Sequence, residues 1–91
     1  MKKKDIRTKV EDSLQPLYRV LLHNDDSNSF EYVINVLIRV FRWDSETAVV
    51  VTMEAHNRGT ACCAVLGREV AELKRDLIRS AGLSSTIEPE T

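Results

Sequence analysis

Residues 21–37, LLHNDDSNSFEYVINVL, decide the fold because two different hydrophobic periodicities meet there across one polar cluster. The preceding run, residues 17–22, is apolar except for Arg19 and includes the aromatic Tyr18 and the β-branched Val20, which is typical of a strand with one buried face. After the cluster, apolar residues recur with the spacing of one helical face at Phe30, Val33, Ile34, Leu37 and Phe41. The sequence therefore predicts a strand, a tight polar turn and a helix in direct succession.

The polar turn itself has two interpretations. Asn28 with Glu31 resembles a capping box, and Ser29 is a second candidate for the N-cap of the helix. Two adjacent carboxylates beside an amide, Asn24-Asp25-Asp26, also offer several acceptors to a cation, either a metal ion or an organic ammonium group. Local sequence leaves the structural turn and the cation site both open.

The rest of the chain alternates helical and extended patterns. Asp44 is a second N-cap candidate, and we favour a helix from about 45 to 57 although its β-branched residues 48–53 would also suit a strand. Gly59 fits a helix stop, and a strand at 60–66 and a helix at 68–81 follow. The apolar stripe of that last helix consists of Val70, Leu73, Leu77, Ile78 and Ala81.

A short final strand at 84–87 completes the order β-α-α-β-α-β, after Gly82 stops the last helix. This order predicts a small α/β sandwich, in which three helices pack on one face of a three-stranded antiparallel sheet. Residues 1–15 are charged and lack a clean apolar period, so we expect a flexible N-terminal extension followed by a core domain at 16–91.

Composition excludes several classes of protein. The chain has 91 residues, a formal net charge of −1 and 5% aromatic residues, without a basic patch that would suit nucleic acid. No stretch approaches the roughly 20 apolar residues of a membrane span. The charged N-terminus does not resemble a secretory signal. The adjacent Cys62 and Cys63 are expected to be reduced thiols that form no disulfide with each other. We therefore expect a cytoplasmic protein.

Catalytic and metal sites are poorly supported by residue type and spacing. The turn lacks the sixth-position glycine of an EF-hand loop, and Phe30 takes a ligand position. His23, His56, Cys62 and Cys63 match zinc by type, but adjacent strand cysteines point to opposite faces. No nucleophile–base pair is recognisable. We expect no enzyme activity, cofactor or metal, and His56 matters only if the fold brings it to the polar turn.

Several segments together carry a resemblance to a known family. They are YRVLLHNDD at 18–26, FEYVINVL at 30–37, AHNRGTA at 55–61, REVAELK at 68–74 and GLSSTIEPE at 82–90. In this order they resemble the ClpS family, bacterial adaptors that deliver N-degron substrates to Clp AAA+ proteases. The resemblance implies the same β-α-α-β-α-β sandwich, shared with the ribosomal stalk domain, and so supports a helix at 48–57.

The resemblance also implies roles for individual residues. The free α-amino group of a substrate would be held by Asn24, Asp25, Asp26 and His56. Its first side chain, Phe, Tyr, Trp or Leu, would enter a hydrophobic pocket lined by Leu22, Asn28, Phe30, Val33, Thr52, Ala55 and Leu83. Glu69 and Lys74 match positions that dock the N-terminal domain of a Clp unfoldase of the ClpA or ClpC type. The expected oligomeric state is a monomer.

The chain departs from the best-known family pattern at the pocket. Phe30 stands where a Met commonly guards the entrance, and Thr52 and Ala55 stand where a Met and a Val are common. Asn28 and Ser29 replace a usual Thr-Pro. We expect these changes to strengthen a preference for aromatic first residues. The alternatives are a small metal-binding protein that uses Asp25, Asp26 and His56, or a scaffold domain of the same fold.

Overall fold

The structure, a computed structural model, describes residues 16–91. Three strands and three helices follow one another there in the predicted order β-α-α-β-α-β. The elements are β1 (Leu17–His23), α1 (Phe30–Phe41), α2 (Ser45–Arg58), β2 (Thr60–Gly67), α3 (Arg68–Ser80) and β3 (Ser85–Pro89). The predicted fold class is confirmed. The predicted extension at 1–15 lies outside the described residues. None of these helices is long and apolar enough to cross a membrane.

The sheet has β1 at its centre, with β2 and β3 antiparallel on either side. The β1–β2 register runs from Leu17 opposite Gly67 to His23 opposite Thr60, with an irregularity between Val20 and Leu21. Cys63 is the extra residue of this β-bulge, since Val20 pairs with Ala64 and Leu21 with Cys62. Cys62 is consequently exposed, whereas Cys63 packs against the core.

Helix boundaries follow the capping signals, and the structure decides between the two N-cap candidates of α1. Ser29, not Asn28, is the N-cap of α1, and its hydroxyl accepts a hydrogen bond from the Tyr32 amide at 3.1 Å. The Asp44 carboxylate caps α2 in the same way, at 2.9 Å from the Thr47 amide. Gly59 ends α2 with φ +92°, a left-handed conformation that favours glycine. Residues 48–53, which could also have formed a strand, lie between these two caps and are helical.

The core lies between the sheet and the helices. Its largest fully buried apolar side chains are Leu22, Leu37, Ile78, Val20 and Val36. Only part of the predicted apolar stripe of α3 joins it. Ile78 is buried, but Val70, Leu73 and Leu77 are exposed by 47%, 54% and 43%. The helix is instead anchored through Ile78 and the small Ala71, so an apolar row remains on its outer side.

Two backbone hydrogen bonds determine where the polar turn lies. As β1 ends, the His23 amide donates to the Ser84 carbonyl oxygen and the Asn24 amide donates to the Gly59 carbonyl oxygen, both at 3.0 Å. Gly59 directly follows α2, and His56 lies in the last turn of that helix. The turn is therefore held beside the C-terminal end of α2, which sequence reasoning alone could not establish.

Candidate functional site

A small cavity lies where the end of β1, the polar turn, the start of α1 and the C-terminal half of α2 converge. Its rim is polar and its deeper wall is largely apolar. The lining residues are Leu22, His23, Asn24, Asp25, Phe30, Val33, Thr52, Ala55, His56 and Leu83. The cavity measures about 10 Å³, which is room for roughly one water molecule.

Asp25 organises the polar turn through both of its carboxylate oxygens. Oδ1 accepts hydrogen bonds from the Ser27 amide at 2.7 Å and the Asn28 amide at 3.1 Å. Oδ2 accepts one from Asn28 Nδ2 at 2.6 Å. These bonds, first the one from the Asn28 side chain, hold the pKa of Asp25 below its ordinary value of 3.8, so the side chain is ionised at neutral pH.

The structural and functional interpretations of this turn are compatible. A carboxylate offers about four lone-pair positions, and these bonds occupy three. Within residues 16–91, one position on Asp25 therefore remains for a further donor. Asn24 Nδ2 lies 3.4 Å from Asp26 Oδ1, an orientation that leaves the Asn24 side-chain oxygen available as an acceptor. A hydrogen-bonded turn that presents acceptors at the rim of a cavity is suited to binding a small cationic group.

His56 reaches the same rim from α2. Its ring packs edge-on against Phe30, with ring centroids 4.9 Å apart and planes at 74°. Phe30 is 41% exposed and is the first residue of α1, whereas Leu22, Val33, Thr52, Ala55 and Leu83 are all buried. Phe30 is accordingly the most exposed part of the apolar wall.

The structure divides the residues predicted for this site into two groups. Asp26 and Asn28 line a broad, open polar groove that adjoins the cavity and shares Asn24, Asp25 and Leu83 with it. Asn28 Nδ2 also lies 3.4 Å from the Gly82 carbonyl oxygen. The other predicted amino-group and pocket residues line the cavity itself.

The sequence analysis gave His23 no part in the binding site, yet it lines the cavity. Its Nε2 lies 2.7 Å from Thr86 Oγ1 on the neighbouring strand, which fixes the ring. Its position at the end of β1, directly before Asn24, was the available signal, because the last residue of a strand shares the edge of the sheet with the turn that follows.

Metal binding and cysteine-based catalysis are poorly supported by the residues that the structure describes. Within 16–91, no three side chains of His, Cys, Asp or Glu are grouped so that they could share a metal ion. Burial raises the pKa of the Cys63 thiol to about 12, so it stays protonated and poorly nucleophilic. Lys74, predicted to dock a partner, donates from Nζ to the Val40 carbonyl oxygen at 2.8 Å, which ties α3 to α1.

Comparison with known proteins identifies the family. Residues 13–86 match the sequence model described as ATP-dependent Clp protease adaptor protein ClpS. The chain belongs to the ClpS family. A ClpS of Synechococcus elongatus is 44% identical over 84 residues, which cover 91% of this chain and 88% of that protein. One from Desulforapulum autotrophicum is 42% identical over 81 residues, covering 82% and 78%.

A solved structure of a ClpS protein shares the fold described above. It is Agrobacterium tumefaciens ClpS2 bound to L-phenylalaninamide, with 43% sequence identity and a TM-score of 0.76. The match covers 82% of this chain and 98% of the A. tumefaciens chain. The resemblance drawn from the sequence motifs is thereby confirmed, and this chain is a member of a family of Clp protease adaptors.

Proposed function

We propose that this chain is an N-degron adaptor without enzymatic activity of its own. It binds proteins through a free α-amino group and a bulky hydrophobic first residue, Phe, Tyr, Trp or Leu, and delivers them to a Clp AAA+ protease. The observation that carries the proposal is the joining of an ionised carboxylate, an amide and an imidazole with an apolar wall around one small cavity.

The polar rim holds the α-amino group. This group is a cation with three hydrogens, and Asn24, Asp25 and His56 supply three acceptors of suitable type. The charge of Asp25 makes its bond to the ammonium charge-assisted. Asp26, in the adjoining groove, adds negative potential at a greater distance. Acetylation of the amino group removes the cation and leaves acceptors unpaired, a loss of about 1–3 kcal/mol or more.

The apolar wall receives the first side chain. Burying a Leu or Phe side chain contributes roughly 1.5–3 kcal/mol, enough to separate large apolar residues from small or polar ones. The wall residues are Leu22, Phe30, Val33, Thr52, Ala55 and Leu83, with Asn28 behind the Asp25 loop. The cavity admits no such side chain as it stands, so Phe30 swings outward on binding.

The relative from A. tumefaciens supports this assignment. L-Phenylalaninamide, the ligand of that protein, carries a free α-amino group and a benzyl side chain, the two features that a Phe first residue presents. Its carboxyl end is an amide, as in a peptide. The amino group and the benzyl side chain of this ligand match the cation-binding rim and the apolar wall proposed for the present cavity.

The proposal is tested by fluorescence anisotropy with labelled peptides that differ only in their first residue. Free Phe, Tyr, Trp and Leu peptides are expected to bind about 10–100-fold more tightly than an Ala peptide, because only they fill the apolar wall. Each acetylated counterpart is expected not to bind measurably. Equal binding of free and acetylated peptides, or none by any free N-terminus, would contradict the proposal. A Leu peptide that outbinds all three aromatics would contradict the aromatic preference.

The docking face for the N-terminal domain of a ClpA-type or ClpC-type unfoldase lies on α3. Glu69 is exposed in the first turn of this helix. The exposed apolar row of Val70, Leu73 and Leu77 lies on the same helix, outside the core. A charge beside an unburied apolar row is typical of a protein-binding surface. The Lys74 ammonium is already bound to α1, so Glu69 is the cleaner test of this face.

Glu69→Lys is expected to block delivery without affecting peptide binding. Reversing a charge within an interface costs several kcal/mol, so Clp-dependent degradation of a Phe-starting reporter should slow by at least about tenfold. Glu46→Lys is the matched control, because Glu46 is also an exposed acidic residue in the first turn of a helix. Equal degradation rates for the two variants, at equal peptide affinity, would place the docking face elsewhere.

A further inference from the structure

Thr52 lines the cavity, and its hydroxyl is a buried polar group. Thr52 is only 4% exposed, and within residues 16–91 its Oγ1 has no hydrogen-bond partner. A buried hydroxyl normally finds a partner, because leaving it unpaired forfeits the bonds that water would supply. The buried side chains around it in this wall, Leu22, Val33, Ala55 and Leu83, are apolar and offer none.

The distance between Thr52 and the polar rim indicates which atom of a bound first residue would lie next to the Thr52 hydroxyl. Thr52 and His56 are four residues apart on α2, so their side chains share one face of the helix, about 6 Å apart along the axis. A first residue held by its α-amino group at His56 extends along this face past Ala55. A tyrosine side chain reaches a comparable distance from its Cα to its phenol oxygen, whereas a leucine side chain ends well short of it.

We propose that Thr52 is a specificity-determining residue that favours tyrosine as the first residue of the substrate, through a hydrogen bond between its hydroxyl and the phenol. The inference rests on the proposed function. Both groups donate and accept, so the bond forms whichever hydrogen lies between them. Phe fills the same space but offers the Thr52 hydroxyl no partner, so only Tyr gains this bond.

The test compares the affinities of two peptides that differ only in having Tyr or Phe as the first residue. On the unmodified protein, the Tyr peptide is expected to bind about five- to tenfold more tightly. Thr52→Val keeps the shape of the side chain without the hydroxyl and should abolish this ratio. Thr52→Ser keeps a hydroxyl and should preserve the ratio.

A second measurement changes the peptide and not the protein, so it does not depend on whether a variant folds. A peptide starting with 4-methylphenylalanine resembles the Tyr peptide in shape but has no phenol, and it should lose the advantage on the unmodified protein. If both peptides bind but the Tyr-to-Phe ratio is the same in Thr52→Val, the role of Thr52 is overturned while the proposed function stands. If neither peptide binds the unmodified protein, the proposed function fails and this inference with it.

Discussion

Asp25→Asn is expected to weaken the binding of a Phe-starting peptide with a free amino group by about a hundredfold. Removing one partner of a hydrogen-bonded charge pair typically costs 2–5 kcal/mol. The substitution also disturbs the turn, because Asp25 accepts from the Ser27 and Asn28 amides and from Asn28 Nδ2. An Asn at this position would present its own NH₂ group to one of these donors. Anisotropy with the labelled peptide measures the loss.

Asp26→Asn is the matched control for this variant. It makes the same change of charge one residue away, at an exposed side chain whose Oδ1 lies 3.4 Å from Asn24 Nδ2. Because solvent screens an exposed charge, its loss should cost less than about 1 kcal/mol, or roughly fivefold in affinity. Similar losses for the two variants would show that net charge, and not the carboxylate held at the cavity rim, attracts the amino group.

Phe30→Ala is expected to remove the discrimination between Phe and β-branched first residues. In the unmodified protein the Phe30 ring lies against His56 over a cavity of about 10 Å³, so an entering side chain must pass beside the ring. A side chain unbranched at Cβ passes more easily than Ile or Val, and forcing a branched one costs about 1–3 kcal/mol. The ratio of Phe to Ile affinity should therefore fall from about fiftyfold to less than about fivefold.

The control for Phe30 is available on the same helix. Tyr32 is a similarly exposed aromatic residue, 39% against 41%, but it does not line the cavity, and its hydroxyl donates to the Ala81 carbonyl oxygen at 2.6 Å. Tyr32→Ala should leave the Phe-to-Ile ratio unchanged. If Phe30→Ala also leaves it unchanged, the entrance to the pocket is not formed by Phe30.

The secondary structure was predictable because its signals are local. The spacing of apolar residues in α1, the caps at Asp44 and Gly59 and the breaks between elements act over a few residues. The N-cap of α1 was harder to assign, since Asn28 and Ser29 are both good capping residues. The tertiary structure decides between them, because the Asn28 side chain is bound to Asp25 and only Ser29 remains for the cap.

The fate of the apolar stripe on α3 was not predictable from its spacing. Periodicity shows which residues share a face but not whether that face meets the rest of the chain. In a small domain the sheet and the other two helices cover only part of α3, which is held through Ala71 and Ile78. Leu73, which the pattern predicts as core, is consequently more than half exposed.

The site was predictable as a set of residue types but not as a geometry. His56 is distant from Asn24 and Asp25 in sequence, and the bond from the Asn24 amide to the Gly59 carbonyl oxygen brings the two regions together. Only the family resemblance placed them together beforehand. The size of the cavity and the unpaired hydroxyl of Thr52 depend on how side chains pack, which no local pattern encodes.

The central claim is that one site reads both the α-amino group and the first side chain. It is tested most directly by following the backbone amide signals of the protein by NMR during titration with L-phenylalaninamide and, separately, with N-acetyl-L-phenylalaninamide. The free amine should shift signals of Asn24, Asp25, Phe30 and His56, around the cavity, while the acetylated compound leaves them in place. Equal shifts by both compounds, or shifts confined to the outer side of α3, would contradict the account.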